Sequence, residues 1–259
     1  MAFCLNCVII CAVTQFCVPR QAVFFYLSCG PLMNRIFLQF SFAILMLSAH
    51  NVAGAATLDV MMRQADQTPV SDAVITLQGP VGAPVGTLKA DMDQRGQKFA
   101  PHVLAVHTGT QVRFPNSDNI RHQVYSFSAA KRFELRLYEG TPTDPLLFDK
   151  PGVVVLGCNI HDWMLGYIYV TDDPRFGVSD AQGRVRLDDL PAGAYHVTLW
   201  HPQLAQMQPL DGGTLNIPAT GLSHAVQLSL EPPSADLPPA PTPTAFGDAF
   251  NRAARETAQ

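Results

Sequence analysis

Charged residues are scarce in this sequence of 259 residues: lysine, arginine, aspartate and glutamate make up 15% of it, and the net charge is -4. Without a basic stripe the chain has little with which to neutralise a phosphate backbone, which argues against nucleic acid as a partner. Motifs for haem attachment, zinc hydrolysis and serine nucleophiles (C-x-x-C-H, H-E-x-x-H and G-x-S-x-G) are absent, as are H-x-H pairs. We therefore expect a protein that is not an enzyme.

Cysteine is also scarce over most of the chain, because five of the six cysteines fall in the first 29 residues and only Cys158 lies beyond them. Residues 1–32 are apolar without periodicity, and their cysteine spacing matches neither a metal site nor a disulfide framework. We interpret this segment as an over-extended start. The alternatives are a cysteine-rich functional arm and a lipoprotein signal ending at Cys29, for which Tyr26 stands where a leucine is expected.

A second methionine, Met33, begins a segment with the three parts of a secretory signal peptide. A short positive region precedes an apolar run over 36–49, and small residues over 53–56 suit cleavage. The apolar run is short for a membrane span, which favours a cleaved signal over 33–56 rather than a retained anchor. We predict that translation starts at Met33. The mature chain should be periplasmic, have no stable membrane anchor and form no internal disulfide.

The remaining sequence has the pattern of an all-β protein, because Gly, Pro, Asn and Asp recur at short intervals between stretches of period-two alternation. Half-buried strands are predicted at 112–114 and at 133–138. Their core-facing side chains would be Val112 and Phe114 in the first strand and Phe133, Leu135 and Leu137 in the second. The continuous apolar run 153–156 predicts a strand covered on both faces, with 167–170 as its partner. Residues 157–166, Gly-Cys-Asn-Ile-His-Asp-Trp-Met-Leu-Gly, form the loop between them.

This loop places a thiol, an imidazole and a thioether within seven residues, at Cys158, His161 and Met164. A cysteine, two histidines and a weak axial methionine are the ligand set of a blue copper site. The second histidine must come from elsewhere, and His122, shortly after a predicted strand, is the best candidate. Singly, such a cysteine is more often a small buried hydrophobe and such a methionine core packing. Their joint occurrence predicts a metal site.

Three segments together resemble the cupredoxin (blue copper) family: G-T-Q-V-R-F-P-N at 109–116, H-x-V at 122–124 and C-x2-H-x2-M at 158–164. The resemblance covers 85–172, and the short ligand loop is more similar to amicyanin than to plastocyanin. It implies a Greek-key β-sandwich with one type 1 copper that passes single electrons between redox partner proteins. The whole chain also resembles secreted bacterial proteins labelled methylamine utilisation proteins.

The same resemblance assigns roles to individual residues. The implied copper ligands are His122, Cys158, His161 and Met164. His161 would lie nearest the surface and form the electron exit, with Trp163 and Leu165 in an apolar docking rim around it. Asn116 and Gln123 are candidate supporting residues around the ligands, and Gln123 stands where the relatives usually carry asparagine.

The segments on either side of 85–172 resemble carboxypeptidase regulatory-like β-sandwiches. Residues 57–84 match the opening of such a module, and 173–230 match its second half through the turns after Ser179 and Leu190. We expect one scaffold or partner-docking sandwich with the copper domain inserted, whereas two consecutive domains are the alternative. The proline-rich segment 231–259 predicts a stiff linker followed by a short helix or a frayed terminus.

Two further functions stay open at this point. The protein could deliver or buffer copper without an electron-transfer role, or it could be a metal-free structural or binding module. The other histidines of the predicted mature region are interpreted as surface or strand residues: His102, His107, His196, His201 and His224. His102 is also a candidate for supporting a ligand.

Overall fold

The computed structural model describes residues 55–82, 86–142 and 144–232, which form seventeen β-strands and one 3-10 turn, Ala205–Met207. The strands are β1 (Ala56–Arg63), β2 (Val74–Gln78), β3 (Lys89–Asp91), β4 (Asp93–Gln94), β5 (Phe99–Ala100), β6 (Val103–His107), β7 (Thr110–Arg113), β8 (His122–Phe127), β9 (Arg132–Tyr138), β10 (Leu146–Phe148), β11 (Gly152–Gly157), β12 (Leu165–Thr171), β13 (Arg175–Val178), β14 (Arg184–Leu190), β15 (Gly193–Trp200), β16 (Leu210–Ile217) and β17 (Leu222–Gln227). The predicted all-β fold is confirmed.

Several sequence-based predictions fall on other parts of the chain. The start segment 1–32, nearly all of the signal peptide 33–56 and the C-terminal helix lie outside the described residues. Within the described ranges, no helix has the length and apolar character needed to cross a membrane.

The strands β3 to β12 build what we call the central sandwich. Its larger sheet has the order β6-β12-β11-β8-β9, and its smaller sheet the order β10-β7-β3. The core between them includes Val112 and Phe114 from one sheet and Val124, Leu156 and Ile168 from the other. Val112, Phe114 and Val124 alternate with exposed or half-buried residues, as period-two patterning requires, whereas Leu156 and Ile168 also have a buried neighbour in their strands.

The remaining strands form the flanking sandwich, with sheets β14-β1-β17 and β13-β2-β15-β16. Strand β1 pairs antiparallel with β14 and parallel with β17, and β2 pairs with β13 and β15. Strands from before and after the central sandwich therefore share sheets. That is the pairing an inserted arrangement requires, and the domain boundaries themselves stay our prediction.

The two sandwiches meet in a small apolar cluster built around Trp200. The indole ring of Trp200 is fully buried and lies 5.9 Å from the ring of Tyr167 and 5.3 Å from that of Tyr169. Both tyrosines come from β12 and alternate with the core residue Ile168, so they lie on the outer face of the larger central sheet. The flanking sandwich thus covers part of that face.

Two details of the strand predictions are wrong. Val154 and Leu156 are buried, but Val153 and Val155 are half-buried, so β11 is not fully covered on both faces. A bulge in β9 shifts the register of its residue pairs with β8. It turns the side chain of Leu137 outward, so that this side chain is 51% exposed. Tyr138 points inward in its place because its hydroxyl donates a hydrogen bond to the carbonyl of Phe114 at 2.7 Å.

Candidate metal centre

His122 is the first residue of β8 and is completely buried. The loop before it is shaped by Asn116, whose Oδ1 accepts the backbone N–H of Asp118 at 3.0 Å. The Nδ2 of Asn116 donates to the carbonyls of Ile120 and Tyr138, each at 2.9 Å. Asn116, predicted as a supporting residue, therefore fixes the turn that delivers the histidine to the core.

Cys158 directly follows β11, and the loop to β12 carries the other two predicted ligands. The N–H of Met164 donates to the carbonyl of His161 at 2.9 Å, which closes a tight turn between them. Cys158 and Met164 are 3% and 1% exposed and belong to the same apolar core cluster. His161 is half-buried and is thus the ligand candidate with access to the surface.

The three strong ligand candidates converge on one point. The Sγ of Cys158 lies 3.9 Å from Nδ1 of His122 and 3.8 Å from Nδ1 of His161, and all three ligand atoms lie within 4.8 Å of one another. Metal bonds of about 2.0–2.1 Å to nitrogen and about 2.3 Å to sulfur, at a trigonal angle, place the two atoms about 3.8 Å apart. The spacing therefore fits a single shared metal ion.

Neither a protein-family model nor a curated protein matches the chain, whereas solved structures do. A Cu-containing nitrite reductase from Thermus scotoductus is 28% identical, at a TM-score of 0.31, over 36% of this chain and 25% of that one. A purple cupredoxin from Nitrosopumilus maritimus is 21% identical, at 0.29, over 32% and 99%. A reduced variant of amicyanin is 20% identical, at 0.30, over 38% and 98%. These neighbours are copper proteins.

Each of these matches is partial. They cover about a third of this chain, and this chain spans about a quarter of the nitrite reductase. At these TM-scores the likeness does not assign a function to the chain, which must come from the chemistry of its own residues.

A partly buried carboxylate, that of Asp118, lies against the ring of His122. Burial acts to raise the pKa of Asp118, but hydrogen bonds from the N–H of Gln97, the ring of His122 and the N–H of Gly96 outweigh it and lower the pKa. The ionised carboxylate accepts Nε2–H of His122 at 2.8 Å. This bond orients the ring so that Nε2 faces Asp118 and Nδ1 faces Cys158, which is the orientation a metal-binding Nδ1 requires.

The surroundings of His161 favour its neutral form. Burial lowers its pKa, and the neighbouring ring of His122, 4.9 Å away between centroids, lowers it further. A neutral imidazole is the form that binds metals, because a protonated one has no free nitrogen lone pair. The lowered pKa of His161 therefore favours the form that can bind a metal.

The other predicted site residues have varied surroundings. The ring of Trp163 lies 5.1 Å from that of His161, and Leu165 is half-buried at the start of β12. Gln123 donates through Nε2 to Glu134 at 2.7 Å, so its side chain is bonded across to β9. His102 bonds to Asp72 at 3.0 Å, on the flanking sandwich, rather than to a ligand candidate.

Sequence analysis missed Asp118. Its position four residues before His122, in an Asn-Ser-Asp turn, was a usable signal, because an Asx turn often orients the residues after it. The backbone donors of Gly96 and Gln97 that hold the carboxylate come from the turn between β4 and β5, and local patterns do not reveal that contact.

Proposed function

We propose that this protein is a periplasmic type 1 copper protein that transfers single electrons between redox partner proteins. The convergence of Cys158 Sγ with the Nδ1 atoms of His122 and His161 carries the proposal. One thiolate and two imidazoles suit both copper(I) and copper(II), and a buried methionine in the same loop supplies the weak fourth donor of that ligand set. Bound copper would supply a one-electron couple.

The protein contributes to electron transfer by holding the ligand side chains in fixed positions. His122 begins a central strand and is locked by Asp118, while Cys158 and Met164 are packed into the core between β11 and β12. Ligands held this firmly change little in position when the metal changes its oxidation state, which keeps the barrier to electron transfer low. A buried and complete ligand set also leaves no position for a substrate, so electron transfer suits the site better than catalysis.

The half-buried His161 offers an exit for the electron. Trp163 packs beside it, and Ile160, in the same loop, is 48% exposed. These side chains give the histidine an apolar surround of the kind that transient protein partners use. Export through the predicted signal peptide would place the centre in the periplasm, where a lone cysteine is protected by coordination.

The proposal is tested by titrating copper(II) into the protein expressed from Met33 and recording visible absorption and EPR spectra. An intense thiolate-to-copper charge-transfer band should appear in the wild type and vanish in Cys158→Ser. His224→Gln, which changes a histidine of the flanking sandwich, is the control and should keep the band. A colourless wild-type protein that still binds copper(I) would favour copper delivery or storage, and one that binds no copper would favour a structural module.

A further inference from the structure

A large apolar side chain is exposed far from the ligand loop. Phe127, at the end of β8, is 72% exposed, and the other exposed large apolar side chains of the described residues are at most 51% exposed. It lies five residues beyond His122, and at about 3.4 Å per residue that separates the two by about 17 Å along the strand. Phe127 is therefore not part of the surround of His161, and it needs its own explanation.

Phe127 is connected to the metal centre through Tyr125. The two rings are 5.3 Å apart between centroids, and Tyr125 pairs with Gly157 across β8 and β11. A Cβ atom placed on Gly157 would lie 2.6 Å from Cζ and 2.7 Å from Oη of Tyr125. The tyrosine ring thus packs on the backbone of the residue that precedes Cys158, so the path from Cys158 to the exposed phenyl ring crosses one peptide bond and two packed contacts.

The charge around Phe127 is positive. Arg132 pairs with Phe127 across β8 and β9, and its guanidinium carbon lies 5.9 Å from the centre of the phenyl ring. Arg136 is exposed on the same strand, and no ion pair within 4.0 Å involves either arginine among the described residues. Glu134 lies between them and accepts a hydrogen bond from the neutral amide of Gln123, so its carboxylate offsets one of the two positive charges. The surface around Phe127 therefore keeps a net positive charge in a chain whose net charge is -4.

We propose that Tyr125, Phe127, Arg132 and Arg136 form a second electron-transfer docking surface, for a redox protein that presents carboxylates around an apolar patch. This inference rests on the proposed function and adds a partner class to it. One electron crosses between that partner, a one-electron donor or acceptor, and the Cys158 side of the centre. No bond forms or breaks, no proton moves, and Tyr125 acts as a packed contact without being oxidised itself.

The docking part is tested without copper, by titrating poly-L-glutamate as a probe of acidic surfaces into the metal-free protein at low ionic strength. Arg132→Glu/Arg136→Glu should weaken binding about tenfold or more, because four units of charge reverse at the contact, and salt should erase the difference. Lys89→Glu/Arg184→Glu makes the same change in net charge on exposed residues elsewhere and should keep most of the binding. Equal losses in the two double variants would overturn the docking surface.

The electron route is tested by oxidising the reduced, copper-loaded protein with hexacyanoferrate(III), an anionic one-electron oxidant. Tyr125→Leu should lower the second-order rate constant, and Tyr125→Phe, which keeps the ring, should restore it. Leu210→Ser, an exposed apolar residue of the flanking sandwich, is the control and should change the rate little. A loss of rate in Ile160→Ser, at the His161 end, but not in Tyr125→Leu would overturn the route. Absence of any Cys158-dependent copper band would instead refute the proposed function, and the poly-L-glutamate result would still be interpretable.

Discussion

Replacing Asp118 by asparagine tests how far the metal centre depends on the carboxylate behind His122. Oδ2 of Asp118 accepts hydrogen bonds from Nε2–H of His122 at 2.8 Å and from N–H of Gln97 at 2.9 Å, and Oδ1 accepts N–H of Gly96 at 2.6 Å. Asparagine keeps an oxygen for the first two donors, but its NH2 group then faces the Gly96 N–H. One charge-assisted bond is lost, so the free energy of unfolding should fall by about 1.5–3 kcal/mol.

The same change should weaken the metal centre. Loss of a partner behind a metal-bound histidine lowers metal affinity about 10–100-fold, or about 1.4–2.7 kcal/mol. Removing a negative charge also favours copper(I), so the reduction potential should rise. Competition with a chelator and voltammetry measure these effects, and Asp149→Asn, an exposed carboxylate 55% accessible, is the control. Unchanged affinity and potential in Asp118→Asn would refute the assigned role.

Two further changes probe other contacts. Gly157→Ala should lower the free energy of unfolding by about 1–3 kcal/mol in urea, because the methyl group would overlap the ring of Tyr125, and adding Tyr125→Leu should recover part of that loss. Burial lowers the pKa of His201, an effect that the hydrogen bond to the Ser71 carbonyl opposes only in part, while Nδ1 accepts the N–H of Gln203. The unfolded state then binds more protons, so stability should be full above the histidine pKa of the unfolded chain, about 6.5, and should decline as the pH falls below it. An unchanged acid limb in His201→Gln would contradict this.

The ligand set was accessible to sequence analysis because most of its chemistry is local. Cys158, His161 and Met164 lie within one loop, and the strands that bracket the loop show clear apolar runs. His122 was harder, since only strand pairing brings it to the thiol, but a histidine after an alternating strand was a strong candidate. The structure brings the two histidines and the cysteine together.

The features that were missed depend on contacts between distant segments. Period two predicted an inward Leu137, whereas one bulge in β9 exchanges the roles of Leu137 and Tyr138. The hydrogen bond of the Tyr138 hydroxyl to the carbonyl of Phe114, the residue directly after β7, stabilises this exchange. Asp118 was missed for the same reason, because its partners belong to a turn about twenty residues earlier in the chain.

The flanking sandwich limits which part of the larger central sheet a partner protein could reach. Trp200 packs on Tyr167 and Tyr169, which lie on the outer face of the larger central sheet, and Val153 on β11 joins the same cluster. Phe127 lies on that face too, since it shares the face of Tyr125 on β8, yet it stays 72% exposed. The flanking sandwich thus closes the β6-β12-β11 side of the sheet and leaves the β8-β9 side open. A partner that approaches this face is therefore directed to the strands that carry Tyr125, next to the backbone before the thiol.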